Sequence, residues 1–216
     1  MVIVHDPRCA DYGSTDHPEQ PSRVVRSAAL LRERHPGWAW KKPACAQDGP
    51  IERAHRREHF DRLREAEYFD ADTPAYPDIE EHARRAAGAA LCALDLAVKG
   101  QKVFSLMRPP GHHAERFVFG GFCYFNNAAI AANYLSEYGK VAILDIDYHH
   151  GNGQQQIFYE RRDVTTISIH GHPSFAYPYF SGFKDEKGKN DGLGYNFNFP
   201  LKEEINGIEY RETLTK

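Results

Sequence analysis

Val141-Ala142-Ile143-Leu144-Asp145-Ile146-Asp147-Tyr148-His149-His150-Gly151-Asn152-Gly153 joins an apolar, β-branched run to a polar end punctuated by glycines. Such a run, flanked by helical patterns, reads as a strand of a parallel sheet running from Val141 to Asp147. Side chains alternate across a strand, so Asp145, Asp147 and His149 project to one side if the strand continues that far. They stand at its C-terminal end, where open α/β sheets place ligands. A carboxylate and an imidazole there offer oxygen and nitrogen donors that suit Zn²⁺ or Fe²⁺. The plainer alternative is a capped strand end whose polar groups are only solvated. Two carboxylates on one side of a buried strand are costly unless a cation or hydrogen-bond donors compensate them.

Working outward, short β-branched runs alternate with helical patterns, which predicts an α/β fold with a mainly parallel sheet. Val2 to Val4, Trp38 to Trp40, Lys102 to Leu106, Val164 to Ile169 and Asn196 to Phe199 read as further strands, that at Lys102 of the buried type. Helices are expected over Pro21–Arg34, Ile51–Tyr68, Asp78–Lys99 and Ala128–Tyr138. Asp78 with Glu81 resembles a capping box, and Gly100 suits a left-handed helix end. Gly171 to Gly194 reads as a long loop rich in Gly, Pro and aromatics. With no repeats or linkers, residues 1–216 read as one domain.

The 216 residues carry 27 Lys+Arg against 30 Asp+Glu, a net charge of −3, so no basic surface for nucleic acid is expected. No apolar run approaches the roughly 20 residues of a membrane span, and the N-terminus has no secretory pattern. Cys9, Cys45, Cys92 and Cys123 form no C-x-x-C pair, which argues against a thiolate zinc site or disulfide scaffold and fits a reducing cytoplasm. The 12 histidines are numerous for this length and clustered, so chemistry is sought there.

Arg108-Pro109-Pro110-Gly111-His112-His113-Ala114 follows a strand in turn. Adjacent imidazoles after a Pro-Pro-Gly turn make an acid–base pair, because imidazole titrates near neutral pH; a surface turn is the competing reading. Phe117-Val118-Phe119-Gly120-Gly121-Phe122-Cys123-Tyr124-Phe125-Asn126-Asn127 sets aromatics and glycines before a helix, which fits a narrow apolar wall or core packing. Cys123 has no base paired with it in sequence and reads as a packed thiol.

These three blocks, in this order and preceded by His17-Pro18-Glu19-Gln20-Pro21-Ser22-Arg23, resemble the histone deacetylase superfamily. Ser168-Ile169-His170-Gly171-His172-Pro173, Tyr177-Pro178-Tyr179-Phe180-Ser181-Gly182 and Gly194-Tyr195-Asn196-Phe197-Asn198-Phe199-Pro200 look most like its acetylpolyamine amidohydrolase branch, which usually has Asp where His172 stands. The resemblance implies an arginase/deacetylase-like three-layer α/β/α fold with a mainly parallel sheet. It implies that Asp147 and His149 are zinc ligands, with Fe²⁺ an alternative metal. His112 and His113 would take a proton from water and return one to the leaving amine. Asp145 would orient His112 and Asn152 would orient His113. A structural potassium would be held by oxygens of Asp145, Asp147, His149, Ser168 and Ile169. Gly121 and Phe122 would line the acyl tunnel, opposite an aromatic between Phe175 and Phe180. The substrate would be a small acetylated amine, a polyamine ahead of acetyl-lysine. Glu80, Glu81, Asp185 and Glu186 could receive its distal ammonium groups, with solvated surface the plainer reading of all four, and the branch also implies a homodimer.

The match covers about the N-terminal two-thirds of the family's domain. The family's third metal ligand, an Asp, and its transition-state Tyr come later, and Asp185, Asp191 and Tyr210 stand in the wrong motif context for either. The expectation is a truncated catalytic domain in which the strands ending at Leu106 and Asp147 show unpaired edges. An arginase-like dimanganese site needs another Asp at position 151, which is Gly. The competing function is a non-catalytic remnant that binds an acyl-amine or a partner chain.

Overall fold

The computed structural model describes residues 1–65, 68–70 and 72–215, and the chain divides into two compact units, Met1–Ala131 and Ala132–Lys216. In the first unit, β1 (Val2–Val4) lies between β2 (Ala39–Lys41) and β5 (Val103–Ser105) in a parallel sheet. Ile3 and Val4 are completely buried, as a central parallel strand covered on both faces should be. Its helices are α1 (Ser22–Arg34), α2 (Asp48–Glu52), α3 (Arg57–Glu65) and α4 (Ile79–Ala97), and β3 (Tyr68–Asp70) pairs antiparallel with β4 (Thr73–Pro74). Ala89 and Leu96 of α4 pack on Val4, with Val2, Cys92, Ala93, Val103 and Met107 around them. Helix α5 (Asn127–Leu135) carries the chain from the first unit into the second.

In the second unit β6 (Val141–Asp145), β7 (Val164–Gly171) and β8 (Asn196–Leu201) form a parallel sheet in that order. Helix α6 (Asn152–Phe158) follows β6, and α7 (Gly207–Leu214) follows β8. The side chain of Asn206 accepts from the amides of Ile208 and Glu209, and Glu209 bonds back to the Asn206 amide, a complete capping box.

Several expectations are corrected. The helix expected over Ile51–Tyr68 is broken: α2 ends at Glu52, α3 starts at Arg57, and the chain is a strand from Tyr68, with residues 66 and 67 outside the described residues. Burial of His55 in the gap breaks it, because its ring bonds to main chain far away in sequence. Asp78 makes no side-chain cap; it is itself in the left-handed region (φ 57°). Gly100 does take the left-handed conformation expected of it (φ 81°). Helix α5 stops at Leu135, short of Tyr138. The strand at Lys102 is not of the buried type, since Phe104 on β5 is 49% exposed. Strand β6 ends at Asp145, so Asp147 and His149 lie beyond it. Among the described residues β5 and β6 each pair on one side only, as edge strands of separate sheets.

Candidate active site

In the first unit, β5 leads into Arg108, whose side chain is buried and forms a fork with Glu19: Nε to Oε1 at 2.5 Å and Nη2 to Oε2 at 2.7 Å. Its other donors reach the carbonyls of Cys9 (2.8 Å), Tyr12 (3.3 Å) and Glu19 (3.0 Å), and the guanidinium stacks over the Tyr12 ring. The N-terminal motif and the Arg108 motif are thus one construction, fixing the start of the turn that carries the histidines. Gly111 follows because a Cβ there would strike the main chain at Phe125 and Asn127. Asn127 Nδ2 donates to the Pro109 carbonyl (3.1 Å), tying the turn to the start of α5.

His112 and His113 have ring centroids 3.9 Å apart, and His113 is buried. Gly121 (φ 53°) lies flat against the His113 ring, where any side chain would overlap it. Phe122 is held at φ 71°, a conformation that costs a non-glycine residue about 1–3 kcal/mol. Its amide donates to Thr73 Oγ1 (3.0 Å) and its ring meets His17 edge-on at 4.9 Å. The structure therefore brings together His112, His113, Gly121 and Phe122.

Two further histidines, missed in sequence, underlie this loop. His55 Nδ1–H donates to the Glu115 carbonyl (2.8 Å) while its Nε2 accepts from the Asn126 amide (2.9 Å). His59 Nε2–H donates to the Tyr124 carbonyl (2.7 Å), and the two rings stack 4.5 Å apart. Burial pushes the His55 imidazole down to about 3, helped by His59 beside it, and burial pushes His59 down to about 4. Both are neutral parts of the scaffold. Burial also pushes the Cys9 thiol up to about 11, which removes it as a nucleophile.

In the second unit, the strand-end residues hold one another through successive turns. The Asp147 amide donates to Asp145 Oδ1 (3.0 Å), and the His149 amide donates to Asp147 Oδ1 (2.8 Å). These side-chain-to-amide bonds, of the kind that form turns, replace the strand ladder after Asp145. Asp147 Oδ1 and His149 Nδ1 lie 3.5 Å apart, both side chains substantially exposed. Asp145 Oδ2 accepts from Gln154 Nε2 (2.5 Å), and a Cβ on Gly151 would collide with both groups. Asn152 begins α6 and is buried. Ser168 sits opposite Asp145 in the β6–β7 register, beside Ile169, and its hydroxyl bridges His170 Nδ1 (2.7 Å) and His150 Nδ1 (3.2 Å). Among the described residues no group of three or more His, Cys, Asp and Glu side chains is placed to hold a metal ion.

The long loop after β7 is anchored from β8. Asn196 and Asn198 both donate to Gln155 Oε1 (2.9 Å each), and Gln155 Nε2 donates to Glu186 (2.8 Å). Glu186 also accepts from the Gly182 amide (2.8 Å), so it is a loop anchor rather than an ammonium receptor. Glu80 is likewise committed to Arg64 and Arg84, and Glu81 to Arg85.

Residues 17–216 match the histone deacetylase domain. The chain belongs to that family. It is 45% identical over 193 residues to acetylpolyamine amidohydrolase 2 of Pseudomonas aeruginosa, covering 84% of this chain and 56% of the relative. It is 43% identical over 188 residues to the acetylpolyamine amidohydrolase of Mycoplana ramosa, covering 82% and 55%. The chain thus spans little more than half the length of these two relatives. A crystal structure of acetylpolyamine aminohydrolase from Burkholderia pseudomallei matches all of this chain and 76% of its own at a TM-score of 0.91 and 30% identity. That likeness puts the chain in the three-layer α/β/α fold class with parallel sheets, as the family motifs implied. No helix among the described residues is long and apolar enough to cross a membrane.

Proposed function

We propose that the whole protein is a zinc-dependent amidohydrolase that releases acetate from a small acetylated amine, an acetylpolyamine ahead of acetyl-lysine. The observation that carries the reading is the similarity to two acetylpolyamine amidohydrolases over more than four-fifths of the chain. The donor set supports zinc. Two ligands on a tetrahedral ion with bonds of about 2.0–2.1 Å stand roughly 3.3–3.4 Å apart, and Asp147 Oδ1 and His149 Nδ1 stand 3.5 Å apart. Asp147 and His149 hold the metal in this reading, together with a ligand from outside these residues. When bound, the ion polarises the amide carbonyl and acidifies water.

His112 and His113 take the proton that water loses and return one to the leaving amine. Gly121 gives His113 the room its ring needs, and Phe122 forms the apolar wall for the acyl group. The orienting roles of Asp145 and Asn152 belong to the same reading. So does a structural potassium, supported by Asp145, the last residue of β6, standing opposite Ser168 of β7 in the parallel register.

The test is acetate release from N-acetylputrescine and from an acetyl-lysine peptide by the zinc-loaded protein. His113→Ala is expected to lower kcat by about 10²–10⁴. Turnover that survives His113→Ala overturns the acid–base assignment. No turnover of either substrate by the wild-type protein with zinc overturns the enzyme reading in favour of a binding remnant.

A further inference from the structure

Residues 115–124 follow His113 and carry the Phe122 wall. The Glu115 amide donates to Val118 (2.9 Å), and Gly120 and Cys123 exchange amide bonds at 3.4 and 2.9 Å. Buried main-chain groups need partners: Thr73 meets the Phe122 amide, and one short stretch meets four of the loop's carbonyls. His55 donates to the Glu115 carbonyl, the Arg56 amide to Arg116 (2.9 Å), His59 to Tyr124, and Arg62 Nη1 to Phe117 (2.5 Å). His59 and Arg62 are three residues apart on one face of α3, while His55 reaches the loop from the break that precedes the helix. The face also grips the loop's aromatics: His59 stacks on Phe119 at 3.8 Å, and the Arg62 guanidinium lies 4.6 Å from the Phe117 ring and 5.4 Å from Phe119.

We propose that His55, His59 and Arg62 are positioning residues that hold this loop by its carbonyls and so set the height of the Phe122 wall, making them determinants of acyl-group selectivity. The loop-holding part stands on the geometry alone; the selectivity part rests on the function proposed above. Phe122 is in the left-handed region, which a non-glycine residue does not favour, so the shape of the wall depends on the loop being held from outside.

The experiment measures, in the wild type, Arg62→Ala, Arg62→Lys and His59→Gln, both amide hydrogen exchange of residues 115–124 and the acetyl-over-butyryl preference in kcat/KM on acylated amines. Arg62 is partly exposed and outside the catalytic machinery, so its variants are expected to fold. Arg62→Ala is expected to speed exchange in 115–124 about tenfold, leaving 164–171 unchanged. It should narrow the acyl preference about threefold or more, with partial recovery in Arg62→Lys. Unchanged exchange and unchanged preference in both Arg62→Ala and His59→Gln overturn the proposal. Equal acceleration in 164–171 also overturns it, since that reports a general loss of stability. If the wild type releases no acetate with zinc present, the functional reading falls, and exchange in 115–124 still decides whether these residues hold the loop.

Discussion

Arg108 and Glu19 show how much of the site rests on one buried ion pair. Both side chains are about 95% shielded from solvent, and the guanidinium is satisfied by the Glu19 fork and three carbonyls. Removing one member leaves the other charge buried and uncompensated, which typically costs about 3–5 kcal/mol. Glu19→Ala is therefore expected to lower unfolding free energy by about that amount in urea; a loss under about 1 kcal/mol would show that the pair carries little. Both residues stood inside recognised motifs, yet their partnership was invisible in sequence, because residues 89 apart meet only when the chain folds. Gly121 was legible only as part of a glycine-rich wall. That it must be glycine follows from the His113 ring lying where its side chain would go.

At the scale of elements, the break between α2 and α3 carries a pH dependence. His55 and His59 are neutral in the fold, pushed to about 3 and about 4, well below the ordinary imidazole value of 6.5. Burial is the main cause; the positive charge of Arg116 disfavours protonation of His55 further, and that of Arg62 does the same at His59. Below pH 6.5 the unfolded chain binds protons that the folded chain refuses, so the stability their neutrality provides is present above 6.5 and lost as pH falls toward 4. Urea midpoints measured from pH 7.5 to 4.5 should fall, and the slope should shrink in His59→Gln; an unchanged slope would assign the acid sensitivity to other groups. The elements themselves were legible where pattern and packing agree, as in β1, α1, α4 and β7. They were misread where a side chain acts at long range. Ile51–Tyr68 has helical periodicity, but His55 spends its ring on Glu115 and Asn126. Strand β6 stops at Asp145 because the Asp145 and Asp147 carboxylates capture the next amides.

At the scale of the molecule, each unit has a parallel sheet, a kind of sheet ordinarily covered on both faces. In the second unit Leu144 (53%), Ile146 (62%) and Phe197 (45%) are exposed, and Leu144 and Phe197 flank Ile167 in register across the three strands. In the first, Phe104 is exposed on the edge strand β5. Apolar sheet faces and free edges of this kind drive association. Residues 1–216 expressed alone are expected to bind an apolar fluorescent dye and to self-associate in light scattering, and Leu144→Lys with Phe197→Lys should reduce both. A monodisperse monomer without dye binding would overturn that expectation.

The sequence by itself determined the parallel α/β class, the family and the residue types of the candidate site, because motifs such as Asp145-x-Asp147-x-His149 and His112-His113 keep their chemistry and spacing in one short piece of chain. Only the tertiary structure decided what holds them. Glu19 under Arg108, His55 and His59 under the 115–124 loop, and Gln155 under Asn196 and Asn198 are pairings between distant segments. Their cause is the need of each buried polar group for a partner, which linear spacing does not encode and folding must satisfy.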